Sequence, residues 1–374
     1  MIKIKKVKIY HLEYPLKDFV IASFGLMKSR PAVLIEIKDY NNNTGLGEIW
    51  SNFPADGASY KFNLFKNIFI DKLIDVNFND PSDVYKIYKS IKTIFVQSAD
   101  LGSYDSIISA INSAIWDLFA KNKQTPLNKF LNKKSSNEIN TYASGINSND
   151  AINTINKARE SGFNAFKIKI GLNSNLDFKL INKIFKFKLP NEKIMLDVNQ
   201  GWDRKYALIY LRKIKKYPIY WIEEPISALS SDMEYLKLVN SSPANIALGE
   251  NIYNEKTFDL FIKNKNLNFI QPDISKYGGI SFPIKYMNTK YKNKVFLHFL
   301  GSGVGYISSA HVMSAINSNG LLETDFNKNP LRDLIFTEPI KVTDGKIKLN
   351  SKPGIGFNLS KNTLKKYLIK QFVK

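Results

Sequence analysis

FKIKIG, Phe166 to Gly171, poses the question on which the fold turns. Alternation puts Phe166, Ile168 and Ile170 on one face of a strand and Lys167 and Lys169 on the other. In an antiparallel sheet the lysine face would lie in water. In a closed parallel barrel no strand has a water-facing side, and the same two lysines would point inward and need anionic neighbours.

The rest of the chain favours the barrel. Beyond about residue 140 a hydrophobic strand-like segment recurs: INTYAS, FKIKIG, KIMLDVNQ, IYWIEEP, NIALGE, NFIQPD, KVFLHF and GLLETD. Each is followed by a longer stretch with helical periodicity. Their polar ends fall at Ser144, Lys169, Asp197, Glu223, Glu250, Asp273, His298 and Glu323, separated by 23 to 28 residues. One strand, one helix and two short loops need about that length. Eight such units predict an α/β fold, a (β/α)-barrel, whose strand ends converge on one rim.

Composition narrows the class. The 374 residues carry no cysteine, which removes disulfides, thiolate metal sites and cysteine nucleophiles. No apolar run approaches the length of a membrane span, and the alternating start MIKIKKVKIYHLEY reads as a first strand, not a signal peptide. The formal charge of +21 is spread from Lys3 to Lys374 without a basic block or a nucleic-acid motif. We therefore expect a cytoplasmic protein with no nucleic-acid or membrane partner, whose charge steers a small-molecule carboxylate substrate. A basic anion-binding protein without activity is the alternative from another class. A glycosidase on the same barrel would leave the paired lysines unexplained.

Asp197, Glu223 and Glu250 end three consecutive segments, and three converging carboxylates call for a cation. Hard oxygen ligands suit Mg²⁺, with Mn²⁺ possible, and not zinc. A metal beside lysines makes sense if the carbon next to a carboxylate must lose a proton, since the enediolate carries extra negative charge. Lys169, nearest the rim, is then a candidate base, and Lys167 could hold the substrate carboxylate. Among three histidines only His298 ends a segment, with Asp273 one strand earlier to orient it, whereas His11 and His311 read as structural. Glu323, if protonated, could donate a hydrogen bond to the developing oxyanion. Asn199, Gln200 and Asn251 could support the ligands from behind, and Trp202 and Trp221 read as packing.

These residues resemble the enolase superfamily, and within it the mandelate racemase subgroup. The motifs run nearly the whole chain: GLGEIW, SAINSAIWDLFAK, TYASG, FKIKIG, LDVNQGW, WIEEP, LGEN, QPDISKYGG, LHFLGSGVG and ETDFNKNPLR. The resemblance implies Asp197, Glu223 and Glu250 as Mg²⁺ ligands, Lys169 as one base, the Asp273–His298 dyad as the other, and Glu323 near the enolate oxygen. The muconate lactonising branch has a lysine where this chain has Asp273. Lys276 lies three residues on, but His298 and LGEN argue against that branch. Residues 1–130 are then an α+β capping domain, with strands around Ile2 to Leu12 and Ala32 to Ile37 and a helix around Ser106 to Asn122. Residues 131–335 form the barrel and 336–374 return to the cap, ending in a helical LKKYLIKQF.

In similar proteins two cap loops choose the substrate. Here the first would lie near Lys17 to Lys28, with Phe19, Val20, Phe24 and Met27, and the second after Glu48, with Trp50, Ser51, Asn52 and Phe53. Phe19, Phe24, Trp50, Asn52, Phe53 and Asn199 are the expected substrate contacts. Two opposed bases serve either dehydration of a hydroxy acid or acid sugar, the favoured outcome, or racemisation of a smaller acid, which the apolar loops favour. A homo-oligomer is expected because oligomers are common among similar proteins.

Overall fold

A computed structural model describes residues 1–22, 25–171 and 173–374, without the side chains of residues 17–22 and 174. The chain opens with a meander of β1 (Ile2–Ala22), β2 (Gly25–Asp39) and β3 (Thr44–Ile49), and β4 (Asn77–Phe78) pairs with the start of β1. The run of two lysines at Lys5 and Lys6 breaks the alternation of β1, and a bulge between Ile4 and Lys6 restores it, so Ile4, Val7 and Ile9 all face one core. β1 and β2 continue as a ribbon, with Val20 opposite Met27 and Ala22 opposite Gly25. The segment expected as the first loop is thus largely strand.

The sheet lies on the helix Leu101–Asn122. GLGEIW explains how closely: a Cβ at Gly45 would lie 2.1 Å from the Ala114 carbonyl oxygen, and one at Gly47 2.1 Å from that of Ala110. The glycines let helix and sheet meet backbone to backbone. Tyr10, Leu12, Ala32, Leu34 and Leu46, on the opposite face, join the core of the barrel.

The barrel staves are β5 (Glu138–Ile146), β6 (Ala165–Lys169), β7 (Lys193–Asp197), β8 (Trp221–Glu223), β9 (Ile246–Leu248), β10 (Phe269–Ile270) and β11 (Leu321–Asp325). One parallel ladder runs from β11 through β5 to β10 in chain order. The expected segment KVFLHF takes the remaining place as extended chain: Val295 bridges Ile270, and the His298 N–H donates to the Pro272 carbonyl at 3.2 Å. Phe166 and Ile168 are fully buried outward, and Lys167 is buried inward.

The tail differs from expectation in two places. A hairpin of β12 (Val342–Thr343) and β13 (Lys346–Lys348) stays with the barrel, β13 running antiparallel to the start of β5. LKKYLIKQF splits into the helix Lys361–Tyr367 and β14 (Leu368–Val373), which pairs antiparallel with β1. The run is short enough to fit either period, and the open edge of β1 decides it. Among the described residues no helix is long and apolar enough to cross a membrane.

Candidate active site

The ladder sets the site. Lys169 pairs with Asp197 and Asp197 with Glu223, so base candidate and two carboxylates form one row across β6, β7 and β8. Glu250 follows β9. A cavity of about 260 Å³ opens over the row, near the small end of ligand sites, roughly 300–1,000 Å³. Lys167, Lys169, Asp197, Glu250, His298 and Glu323 all line it.

Lys167 sits one pleat deeper. Its ammonium bonds to Glu223 and lies 2.8 Å from Glu323 and 3.7 Å from Asp197. Burial would drive its proton off, but Glu223 and Glu323 outweigh burial and raise its pKa well above the ordinary lysine range. Glu223 also accepts from Gln271 Nε2 at 2.7 Å and Trp221 Nε1 at 3.2 Å, which gives Trp221 a polar task besides packing. Even so, burial pushes Glu223 up to about 7 against the pull of Lys167, and burial raises Asp197 too. Asp197 Oδ1 accepts the Asn199 N–H at 2.9 Å.

Across the cavity, His298 Nδ1 is 2.8 Å from Asp273 Oδ2, and Asp273 Oδ1 is held by the Ser275 N–H at 2.7 Å and hydroxyl at 2.6 Å. His298 Nε2 faces Glu250 Oε2 at 3.3 Å and Glu323 Oε2 at 3.8 Å. Burial lowers the His298 pKa, but Glu250, Glu323 and Asp273 together lift it to about 9. Lys276 reaches Glu250 at 2.5 Å, and burial, which would raise the Glu250 pKa, is outweighed by His298 and Lys276, so Glu250 is held low. The expected acid form of Glu323 is not what its neighbours favour. Burial raises its pKa, but Lys167 and His298 override burial and hold it as a carboxylate.

Among the described residues the carboxylates are not gathered into a ready cage, because Lys167 and Lys276 occupy Glu223 and Glu250. The donor set nevertheless fits a hard divalent cation: three carboxylates from adjacent strand ends, Asp197 and Glu223 buried and Glu250 partly so, the first two raised by burial that their ammonium partners only partly offset.

A family model described as "Enolase C-terminal domain-like" matches residues 150–363, more than half of the chain. The chain belongs to the enolase superfamily. L-Talarate/galactarate dehydratase of Salmonella typhimurium is 29% identical over 88% of this chain and 80% of its own length. A mandelate racemase/muconate lactonizing enzyme from Bordetella bronchiseptica RB50 superposes with a TM-score of 0.88 at 29% identity, over 97% of this chain and 99% of that one. An enolase from Bradyrhizobium, solved with magnesium and mandelic acid, is 25% identical with a TM-score of 0.83 over 99% of each chain.

Within this superfamily fold the expected contacts divide. Trp50, Phe53 and Asn199 line the cavity, as do Gln200 and Asn251. Asn52 instead donates from Nδ2 to the Leu300 carbonyl at 2.6 Å, fastening the cap to the barrel. The side chain of Phe19 and the whole of Phe24 lie outside the described residues. Glu223 and Asp273 stand behind the cavity wall and hold Lys167 and His298. His311, as expected, is structural: its Nδ1 accepts the Asn128 N–H at 3.1 Å, and burial lowers its pKa to about 4.

Three charged wall residues were not anticipated as part of the site. Asp325 shares the face of Glu323, two residues on, and the strand period alone could have flagged it. Arg30, on β2, has no local signal. Lys276 joins them, its ammonium 4.7 Å from the centre of the Trp50 ring, while Lys61 stands 5.1 Å from that centre and donates to the Trp50 carbonyl at 2.6 Å. Trp50 therefore has two ammonium groups close to its ring, a favourable contact for an indole.

Proposed function

We propose that this enolase-superfamily enzyme removes the α-proton of a hydroxylated carboxylate and dehydrates it, with Mg²⁺ held by Asp197, Glu223 and Glu250. The observation that carries this reading is the common cavity: Lys169 on β6 and the Asp273–His298 dyad line or support opposite walls, with the carboxylate row between them. The similarity to a dehydratase supports the same reaction class. Bound there, Mg²⁺ would offset the charge that builds on the substrate carboxylate as the α-proton leaves; Mn²⁺, with like ligand preference, would substitute.

The chain's own residues do the rest. Lys167, fixed by Glu223 and Glu323, holds the substrate carboxylate. Lys169 takes the proton from C2 at Nζ. His298, its Nδ1 held by Asp273, supplies a proton from Nε2 to the hydroxyl leaving C3. Proton and hydroxyl depart as one water, and the enol left behind becomes a 2-keto-3-deoxy acid. Trp50 and Phe53 exclude bulk water from the cavity.

A second reading is racemisation, favoured by the apolar side chains Met27, Trp50, Phe53 and Leu300 and by a similar protein that binds mandelic acid. Incubating the protein with Mg²⁺ and sugar acids, and following products by NMR, separates the two. Dehydration gives a keto acid. Inversion at C2 without any keto acid would replace the first reading with the second, and no change in any acid would sink both.

A further inference from the structure

Lys61, on the cap helix Gly57–Leu64, is only 6% exposed, yet among the described residues no acid pairs with it. Asp100, whose charge favours the ammonium, instead accepts from the Tyr60 hydroxyl at 2.8 Å and the Ser103 N–H at 3.3 Å. Burial lowers the Lys61 pKa to about 8, against the pull of Asp100. A buried ammonium without a counterion is costly, and an apolar side chain would fill the place at less cost. What the lysine adds is two contacts to Trp50. Ile49 is the last residue of β3 paired with β2, so the Trp50 carbonyl lies beyond the ladder, and Lys61 Nζ donates to it at 2.6 Å. The same Nζ is 5.1 Å from the centre of the indole. The ring has no polar anchor of its own, because Trp50 Nε1 is buried without a partner among the described residues. Lys276 Nζ, 4.7 Å from the ring centre, is bonded to Glu250. Lys61 reaches both the backbone and the ring of Trp50.

We infer that Lys61 is a positioning residue: it seats Trp50 in the cap wall of the cavity and thereby sets the fit of the substrate without touching it. Trp50 lines the cavity, whereas Lys61 stands behind it. The effect on substrate rests on the proposed function; the seating of Trp50 does not. Without the ammonium, the Trp50 carbonyl loses its donor and the ring loses one of the two cations near it. The loop is then fastened to the barrel through Asn52 and the Leu300 carbonyl, and the indole can leave its seat. Lys169 and the Asp273–His298 dyad, on the strand ends, keep their own supports. Affinity for the substrate should therefore suffer more than the chemical step.

The test first reads Trp50 itself. In ¹⁵N-labelled full-length protein, NMR times the exchange of the indole N–H groups with D₂O, single Trp→Phe variants assigning each signal. In Lys61→Met, which keeps the apolar stem and loses the charge, the Trp50 indole should exchange roughly tenfold faster or more. Trp116 and Trp221, bonded to Ser281 and Glu223, are the internal controls and should stay within about twofold. Lys61→Arg, which keeps a cation and donors, should recover most of the protection. Unchanged exchange of Trp50 in Lys61→Met, or equal acceleration of all three indoles, would overturn the inference. Turnover gives the second readout. For the acid that wild-type protein transforms with Mg²⁺, Lys61→Met should raise KM about fivefold or more and leave kcat within about twofold. A fall in kcat at unchanged KM would overturn the role in substrate fit. If the indole result holds while wild-type protein transforms no acid, the proposed function fails and the seating of Trp50 stands.

Discussion

The barrel wall of the cavity is crowded with charge, while the wall contributed by the cap is mostly apolar and holds one arginine. On the barrel side several ionisable groups are fixed by others: Lys167 by Glu223 and Glu323, His298 by Asp273, Glu250 by Lys276. On the cap side Met27, Trp50 and Phe53 offer shape, and Trp50 Nε1 and Arg30 Nε are buried donors without a partner among the described residues. On the proposed function, the difference would place chemistry at strand ends, whose geometry the ladder dictates, and substrate choice on the sheet that docks onto them.

If that division is right, the largest effects come from the barrel wall. Lys169→Ala and His298→Asn should each lower kcat by roughly 10²–10⁴ while leaving the Mg²⁺-dependent rise in Tm intact. Loss of that rise together with activity would mean that these residues hold the fold and not the proton.

The join between the walls comes next. Glu48, on β3, accepts the Ser302 and Gly305 N–H groups at 2.7 and 2.8 Å, at the start of the barrel helix Gly303–Ile316. Burial lifts its pKa from 4.5 to about 7, against the hydrogen bonds from Ser302 and Gly305. The folded state thus binds this proton more tightly than the unfolded one. The contribution is complete below pH 4.5 and is lost as pH rises through about 7. Relative to Glu48→Gln, wild-type stability should fall by about 3 kcal/mol between pH 4.5 and 8 in denaturant titrations. A difference that is flat with pH would contradict it.

Within the cap, Gly47→Ala would drive a methyl against the Ala110 carbonyl and should cost on the order of 1–3 kcal/mol of stability. Its effect on KM should exceed its effect on kcat, because it shifts the wall that chooses and not the one that reacts. The smallest effect belongs to Asn52→Ala, which loses one hydrogen bond to Leu300 and should cost about 1 kcal/mol, read from the midpoint of urea unfolding.

The same division explains what could be read from the sequence. The polar ends from Lys169 to Glu323 were legible because barrel geometry repeats every 23 to 28 residues and puts each end on one rim. Buried Lys167 followed from its place in FKIKIG once the strand was parallel. Arg30 was not legible: its partner is 295 residues away, and SRPAV carries no pattern that points to Asp325. Asn52 reads as a substrate contact, and its Nδ2 donates to the Leu300 carbonyl across the domain join, a partner that no local pattern discloses. β14 was hidden because a run of six residues has too few turns to separate the two periods. The protonation of Glu323 could not be judged without the 2.8 Å approach of Lys167.

The most direct test of the central claim, that Lys169 takes the α-proton and His298 protonates the departing hydroxyl in this cavity, is proton NMR of sugar acids and short 2-hydroxy acids with wild-type protein and Mg²⁺ in D₂O. The account predicts loss of the α-proton signal with formation of a keto acid, both stopping when the metal is chelated, Lys169→Ala abolishing loss of the α-proton and His298→Asn abolishing the keto acid. Full retention of the α-proton in every acid whose product forms would contradict it.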